Sequence, residues 1–151
     1  ADILKTIKKD IEEITSSSIH IGFVKQFSKE PELLHLNKSR SVKTKPNTVI
    51  KFNGFRSICP VTSQPDLANI YIYSNKALST DWLKKYLISY QNKGDFHEQC
   101  VESIFSDIFN KFDCSQLEVC GRFQRRGGID INPFRGTTKK FLNQNFREFN
   151  Q

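Results

Sequence analysis

The chain has 151 residues, enough for one domain with a conventional buried core. Its hydrophobic content of 37%, with thirteen Phe and four Tyr, is typical of a folded protein and excludes an intrinsically disordered one. No run of about eighteen apolar residues is present, so we expect no membrane span and no membrane partner.

The net charge of +7 is concentrated near the C-terminus, where residues 121–151 carry seven Lys and Arg against two Asp and Glu. Such clustering is typical of proteins that bind nucleic acid or a phosphorylated small molecule, and equally of a solvated basic face. The sequence shows no basic-then-apolar signal segment. We therefore expect a cytoplasmic protein with reduced thiols. The spacing of its four cysteines matches no zinc site: Cys59, Cys100, Cys114 and Cys120.

Residues 1–48 are predicted to form an N-terminal extension of helix, strand and loop. An amphipathic helix is expected over residues 2–15, because isoleucines recur there at helical spacing. The stretch "SIHIGFVKQF", residues 18–27, alternates apolar and polar side chains and predicts a strand. Residues 28–48 are polar and contain Pro31 and Pro46, which favours a long loop.

Residues 49–151 are predicted to form the main module. "TVIKF" and "ANIYIYS" are expected strands, and "STDWLKKYLISYQN" is an expected helix capped by Ser79 or Thr80. "DFHEQCVESIFSDIFNKF" predicts a second helix, "QLEVCGRFQR" a strand, and "IDINPF" a final strand after a glycine turn. The order ββααββ indicates an α+β fold, with two helices on one face of a four-stranded antiparallel sheet.

The stretch "ICPVTSQPD", residues 58–66, contains a candidate nucleophile. Pro60 favours extended backbone at Cys59, and polar side chains crowd the following turn. A cysteine is reactive only where its thiolate is favoured, so the alternative is that Cys59 is a small buried hydrophobic residue. Asp66 is either a turn residue after Pro65, or the group that takes up the thiol proton and returns one to a reacting nitrogen.

Two further stretches contain candidate binding residues. In "GDFHEQC", residues 94–100, Asp95 and Glu98 have the spacing of a helix capping box. His97 and Glu98 could instead hydrogen-bond a heterocycle, with the Glu accepting from ring N–H groups. In "RRGG", residues 125–128, a guanidinium and an exposed backbone could approach a phosphate together, although basic hairpin turns are common.

The stretches "CPVTSQPD", "GDFHEQC" and "RRGGIDINPFR" occur in this order and resemble the NADPH-dependent 7-cyano-7-deazaguanine reductases, the nitrile reductases of queuosine biosynthesis. The resemblance extends from about Phe55 to Arg135. It implies the tunnelling fold, whose unit is ββααββ. It also implies a small-molecule substrate, 7-cyano-7-deazaguanine, and NADPH as cofactor, with no metal.

The same resemblance implies a role for each motif. Cys59 would attack the nitrile carbon to give a covalent thioimide, with Asp66 as the proton donor beside it. Hydrides from two NADPH molecules in succession would reduce this adduct to the 7-aminomethyl product. The family's substrate-binding pair corresponds to His97 and Glu98, and its NADPH contacts correspond to Arg126 and Gly127.

One departure from the family pattern concerns the segment between the cysteine motif and the His-Glu pair. Short members carry Glu-Ser-Lys followed by Ser or Ala there, whereas this chain has "NKALSTDWLKKYL". The chain therefore resembles the C-terminal half of the long two-module form, whose N-terminal half holds that motif. We expect it to require a second copy or an N-terminal half, and to reduce the nitrile poorly alone.

Two other functions share some of these features. A nucleic-acid-binding module would use the basic C-terminal residues, but the aromatic residues lie at core spacing rather than between basic residues on one surface. We therefore expect no direct nucleic-acid partner. Another tunnelling-fold enzyme of purines or pterins would share the sheet and helices. Its zinc-dependent members need a Cys/His ligand set, and His97 is the only histidine after residue 35.

Overall fold

The computed structural model describes residues 2–149 and residue 151. Its helices and strands, in chain order, are α1 (Asp2–Thr15), β1 (Leu34–His35), β2 (Thr48–Ile58), β3 (Pro65–Ser74), α2 (Thr80–Ile88), α3 (His97–Phe112), β4 (Leu117–Phe123) and β5 (Phe134–Gly136). The predicted α+β class and the ββααββ order from β2 to β5 are confirmed. No helix in this part of the chain is long and apolar enough to cross a membrane.

The sheet has five strands in the order β1-β2-β3-β4-β5. Strands β2 to β5 pair antiparallel, as predicted, and β1 adds a short parallel edge beside β2. This fifth strand lies inside the predicted loop 28–48. The residue that follows it, Leu36, is fully buried in the main core. A two-residue strand gives no periodic signal, because its pairing with β2 rather than its own sequence defines it.

Helices α2 and α3 cover one face of the sheet. Helix α2 begins after Ser79, whose hydroxyl accepts from the Trp82 N–H at 3.3 Å, so the predicted cap is confirmed. Helix α3 buries Cys100, Val101, Ile104 and Ile108 against the strands. C-terminal residues Leu142 and Phe146 cover the opposite face, together with partly buried neighbours.

The N-terminal extension differs from its prediction beyond α1. Helix α1 forms as expected, but none of its residues is buried, and Ile14 is 83% exposed. The strand predicted over residues 18–27 is wrong, because these residues form no strand and Phe23 is 85% exposed. An alternating pattern becomes a strand only beside a partner. The outer edge of β2 already pairs with β1, so residues 18–27 cannot pair with β2.

The central hairpin is longer than its apolar pattern predicts. Strand β2 continues to Ile58 and β3 begins at Pro65, so Cys59 follows one strand directly and Asp66 lies inside the next. The last strand lies later in the chain than predicted. It was expected over residues 129–134, but β5 starts at Phe134 and residues 124–133 form a loop. This loop turns at Gly127 and Gly128, which have φ values of +57° and +84°.

A polar cluster joins the N-terminal extension and the C-terminal residues to the sheet. Lys51 Nζ lies 2.7 Å from Glu30 Oε1 and 2.8 Å from Glu148 Oε1, and both carboxylates also contact the Tyr71 hydroxyl. Tyr71 is fully buried and Lys51 keeps 12% of its side-chain surface exposed. The cluster therefore fastens the loop before β1 and the C-terminal residues onto β2 and β3.

Candidate active site

The candidate nucleophile Cys59 lies in the tight turn between β2 and β3. Its N–H donates to the Gln64 carbonyl at 2.8 Å, and its carbonyl accepts from the Ser63 N–H at 2.9 Å. Ser63 adopts a left-handed conformation with φ +58° to close the turn. These backbone bonds fix Cys59 at the end of β2 and leave its side chain partly exposed.

The turn also makes the Cys59 thiol more acidic. Hydrogen bonding from the Thr62 hydroxyl, and from the backbone N–H groups of Thr62 and Val61, lowers the pKa of Cys59. Burial and the negative charge of Asp66 act in the opposite direction, but the hydrogen bonds outweigh them. The polar turn residues noted in the sequence thus favour the thiolate, which is the nucleophilic form of cysteine.

The remaining three cysteines differ from Cys59 because all of them are buried and unpaired. Burial raises the pKa of Cys100 to about 11, although the neighbouring Ser57 hydroxyl opposes the shift. Burial also raises the pKa of Cys120 to about 11. Among the four cysteines, Cys59 alone is both partly exposed and acidified. The alternative that Cys59 is an inert buried residue is therefore not supported.

Asp66 is a buried strand residue and does not close a turn. It pairs with Ser57 across the β2–β3 hairpin, and its side chain is 4% exposed. One carboxylate oxygen, Oδ2, lies 3.1 Å from His97 Nε2, and the other, Oδ1, accepts from the Arg126 guanidinium. Three of the residues singled out in the sequence thus meet directly, although 60 positions separate Asp66 from Arg126.

His97 reaches Asp66 because the end of β2 holds the segment before α3. The Ile58 N–H donates to the Lys93 carbonyl at 2.8 Å, and Ile58 forms a parallel bridge with Gly94. His97 is the first residue of α3, and its ring stacks on Phe123, with centroids 3.9 Å apart and planes inclined by 16°. Strand β4 ends at Phe123, so β2, β3, β4 and α3 all contribute to one site.

Glu98 follows His97 in the first turn of α3, but its side chain is exposed and makes no hydrogen bond to a described residue. The capping-box interpretation of Asp95 and Glu98 is wrong, because the helix begins one residue later than that interpretation requires. Phe96 is the N-cap, and its N–H donates to Gln99 Oε1 at 3.1 Å. Gln99 therefore has the structural role, and Glu98 remains available to a ligand.

The basic loop after β4 forms one wall of an open cleft of about 470 Å³. The cleft is lined by Gln64, Pro65, Asp66, Leu67, His97 and residues 123–127. A Cβ atom placed on Gly127 or Gly128 would meet nothing within 4 Å, so the turn presents open backbone rather than packed chain. The Cys59 side chain does not line this cleft, but Cys59 adjoins it through its backbone bond to Gln64.

Two features of the site lie outside the sequence motifs. Phe123 supplies the surface on which His97 stacks, and Gly121 leaves the room that the Phe123 ring occupies, since a Cβ there would lie 2.6 Å from Phe123 Cε2. The sequence placed both residues in a strand but gave no sign of their link to His97. Only the packing of β4 against the start of α3 shows it.

Comparisons with known proteins show what the chain is similar to in sequence. Residues 65–141 match the family described as QueF-like protein. An NADPH-dependent 7-cyano-7-deazaguanine reductase from Coxiella burnetii is 33% identical over 176 aligned positions, which cover 100% of this chain and 62% of the relative. Proteins of the same name from Delftia acidovorans and Buchnera aphidicola are 41% and 40% identical. The aligned regions cover 83% and 76% of this chain, and 44% and 43% of those relatives.

The fold is shared with a solved structure of low sequence identity. The crystal structure of the archaeosine synthase QueF-Like in the apo form aligns with a TM-score of 0.55 at 15% identity, covering 65% of this chain and 95% of that one. This match agrees with the tunnelling fold. The chain thus spans about 62% of its Coxiella relative and less than half of the other two. Because the family match extends over residues 65–141, which is half of the sequence, the chain belongs to the QueF-like protein family.

Proposed function

We propose that this chain carries the nucleophile and the proton-transfer group of a nitrile reductase that converts 7-cyano-7-deazaguanine to 7-aminomethyl-7-deazaguanine. The observation that carries the proposal is the position of Cys59, which is partly exposed directly after β2 and lies one hairpin turn from the buried Asp66–His97 pair. The names of the relatives support the same reaction. An activated thiol next to a buried acid is the arrangement that nucleophilic catalysis requires.

In the first step, the Cys59 thiolate attacks the nitrile carbon. A C–S bond forms, one π bond of the nitrile breaks, and the nitrogen takes up a proton. Asp66 takes the proton from the thiol and delivers it to that nitrogen, so the thioimide forms without net loss or gain of protons. The hydrogen bonds from the Thr62 and Val61 turn stabilise Cys59 as a thiolate before attack, and stabilise it again when it leaves.

The loop at residues 125–128 is suited to the phosphates of NADPH. Two arginines precede two glycines with positive φ, and open space surrounds the position of each missing Cβ, so backbone and guanidinium can approach an anion together. We assign Arg126 and Gly127 to this contact. When bound, NADPH would supply the two hydrides, one from each of two successive molecules, that reduce the thioimide carbon to an aminomethyl group.

His97 and Glu98 are assigned to substrate binding. The Glu98 carboxylate is exposed and free of any capping role, so it can accept hydrogen bonds from ring N–H groups of the deazaguanine. His97 is fixed by its stack on Phe123 and its contact with Asp66, so it can orient the ligand relative to the proton carrier.

We further infer that residues 49–151 form the reductase module and residues 1–48 an extension of it. The Glu-Ser-Lys segment of short family members is absent here, and the chain spans 62% of its Coxiella relative. The missing contacts would come from a second copy or from an N-terminal half. Residues 1–151 alone should therefore oxidise NADPH slowly in the presence of the nitrile. Turnover at the rate of a complete two-module enzyme would contradict this inference.

Intact-protein mass spectrometry after incubation with the nitrile tests the proposed function. The expected result is a mass increase equal to the whole nitrile, because addition expels no leaving group. Cys59→Ala should abolish the increase. Cys100→Ala is the matched control and should retain it, since the Cys100 thiol is buried with a pKa of about 11. An adduct that persists in Cys59→Ala would contradict the proposal.

A further inference from the structure

The loop between β4 and β5, residues 124–133, is fixed by its backbone only near its two ends. Its first residue, Gln124, donates its N–H to the Leu67 carbonyl at 2.9 Å, and the carbonyl of its last residue, Pro133, accepts from an N–H of β4 at 3.0 Å. Between these points, the backbone hydrogen bonds of the described chain only close the glycine turn, residues 126–129, on itself. Side chains must therefore hold this turn against the rest of the protein.

The glycine turn has few side chains of its own for this purpose. Gly127 and Gly128 have positive φ, and a Cβ at either position would meet nothing within 4 Å. Glycine also has more backbone freedom to lose on ordering than any other residue. The ion pair of Arg126 with Asp66 places one guanidinium, but it does not fix the backbone of the two glycines. The position of that backbone therefore depends on the residues that flank the turn.

Asp130, directly after the turn, makes an ionic contact through each of its carboxylate oxygens. Arg125 Nε lies 3.3 Å from Asp130 Oδ1, and Arg147 Nε lies 3.1 Å from Oδ2. Oδ1 is buried and makes no hydrogen bond with a described residue, so the charge of Arg125 compensates it. Because Arg125 directly precedes the turn, Asp130 joins the two sides of the turn and links both to the C-terminal segment.

The C-terminal segment is itself fastened to the sheet. Phe146, which precedes Arg147, is 1% exposed and packs edge-on against Tyr71, with ring centroids 5.2 Å apart. Glu148, which follows Arg147, pairs with Lys51 of β2 at 2.8 Å. The backbone of Arg147 is therefore held on both sides, and its ion pair with the loop connects that loop to the core.

A second contact holds the residue before the turn. Arg125 Nη2 donates to the main-chain oxygen of Gln151 at 2.9 Å. This bond acts on the side of the turn that faces β4, whereas the pair of Asp130 with Arg147 acts on the side that faces β5. Loss of the Asp130 charge would therefore leave the turn fastened on one side only.

We propose that Asp130 is a positioning residue for binding of the nucleotide cofactor. By bridging Arg125 to Arg147, it holds the glycine turn in the conformation in which the turn backbone and the Arg126 guanidinium meet a phosphate together. A turn that is held before binding avoids the entropy cost of ordering it when the ligand arrives. This inference rests on the proposed function, and it assigns a role to a residue that itself touches neither substrate nor cofactor.

Calorimetric titration with NADP⁺ tests the proposal, because charge and positioning predict opposite results for Asp130→Asn. Removal of a negative charge near an anion site should by itself strengthen binding. If Asp130 acts by holding the turn, Asp130→Asn should instead weaken NADP⁺ binding by about three- to tenfold. Asp130→Glu keeps the charge and should recover part of the loss. Asp81→Asn, the matched control in an exposed ion pair of α2, should bind as wild type does.

Two measurements on the same variant separate positioning from a general loss of structure. Trypsin should cut after Arg125 or Arg126 faster in Asp130→Asn than in wild type, because the loop is less firmly held. The rate of nitrile adduct formation without NADPH should stay within about twofold of wild type, because the hairpin turn holds Cys59 independently of the loop.

A double-mutant cycle identifies the contact that is responsible. Arg147→Gln should weaken NADP⁺ binding by a factor similar to that of Asp130→Asn. The double variant should be little weaker than either single one, because both substitutions break the same ion pair.

Four results would overturn the proposal. They are NADP⁺ binding to Asp130→Asn that is unchanged or tighter, tryptic cleavage that is no faster, losses that add fully in the double variant, and no NADP⁺ binding by wild type. An equal fall in adduct formation would also contradict it, since that result indicates a general structural role. If the adduct forms at Cys59 but Asp130→Asn binds NADP⁺ normally, only the positioning role fails. If Asp130→Asn weakens binding but wild type forms no adduct, the proposed function fails.

Discussion

Gly121→Ala is expected to disturb the site through the core, because Gly121 makes room for the ring that supports His97. The added Cβ would lie 2.6 Å from Phe123 Cε2, 3.1 Å from its Cδ2 and 3.2 Å from Val101 Cγ2. Carbon atoms pack best at about 3.5–4.0 Å, so the Phe123 ring must shift by roughly 1 Å. Phe123 is 1% exposed and Val101 is equally buried, so the neighbours have little room to relax.

The shift should reach His97 and then Asp66. His97 stacks on Phe123 at 3.9 Å between centroids and contacts Asp66 at 3.1 Å, so a displacement of about 1 Å takes His97 Nε2 beyond hydrogen-bond range. Overpacking of this kind costs about 1–3 kcal/mol of the free energy of unfolding. Urea denaturation should show that loss, and the rate of nitrile adduct formation should fall with it.

Gly94→Ala is the matched control for this prediction. A Cβ at Gly94 meets nothing within 4 Å, so the same substitution should leave stability within about 0.5 kcal/mol of wild type. Adding Phe123→Leu to Gly121→Ala should relieve the clash and recover stability, but should not restore the rate, because the stack on His97 is lost. Wild-type stability and wild-type rate in Gly121→Ala would refute the reasoning.

Three further predictions concern the core, the thiol and the polar cluster. Glu118→Gln should cost about 2–4 kcal/mol in urea denaturation, because this fully buried carboxylate accepts from three backbone N–H groups and a hydroxyl, whereas the exposed Glu102→Gln should cost less than about 0.5 kcal/mol. Thr62→Val should raise the pKa of Cys59, so iodoacetamide should alkylate this cysteine more slowly at neutral pH. An unchanged alkylation rate would show that the Thr62 hydroxyl does not lower the pKa of Cys59. Burial lowers the pKa of Lys51, but hydrogen bonds to the carboxylates of Glu148 and Glu30 outweigh burial and raise it. Its stabilising effect should therefore be complete below its ordinary pKa of 10.5 and be lost as the pH rises through the higher folded value, and Lys51→Met should remove this alkaline loss measured by thermal unfolding.

The elements with strong periodicity could be predicted from the sequence. The apolar spacing of residues 95–112 predicted helix α3, and Ser79, one of the two predicted caps, begins α2. These signals are local, because a helix forms its own hydrogen bonds and its buried side is fixed by the 3.6-residue repeat. The resemblance carried by the three motifs implied that they belong to one site, and the structure brings Asp66, His97 and Arg126 into contact.

The features that depend on distant partners could not be predicted. Strand β1 exists because Leu34 and His35 pair with β2. The alternating residues 18–27 form no strand, because no strand of the sheet pairs with them. The β2–β3 hairpin extends beyond its apolar residues, which moved Asp66 from a predicted turn into a strand. The contact of Arg126 with Asp66 joins residues 60 positions apart, and no local pattern encodes it.

The most direct test of the account is ¹³C NMR of the nitrile labelled at its nitrile carbon, mixed with this chain in stoichiometric amount without NADPH. In wild type, a thioimide resonance should replace the nitrile resonance, and in Cys59→Ala only the nitrile resonance should remain. A wild-type spectrum with bound but unreacted nitrile at saturation would contradict the claim that Cys59 is the nucleophile.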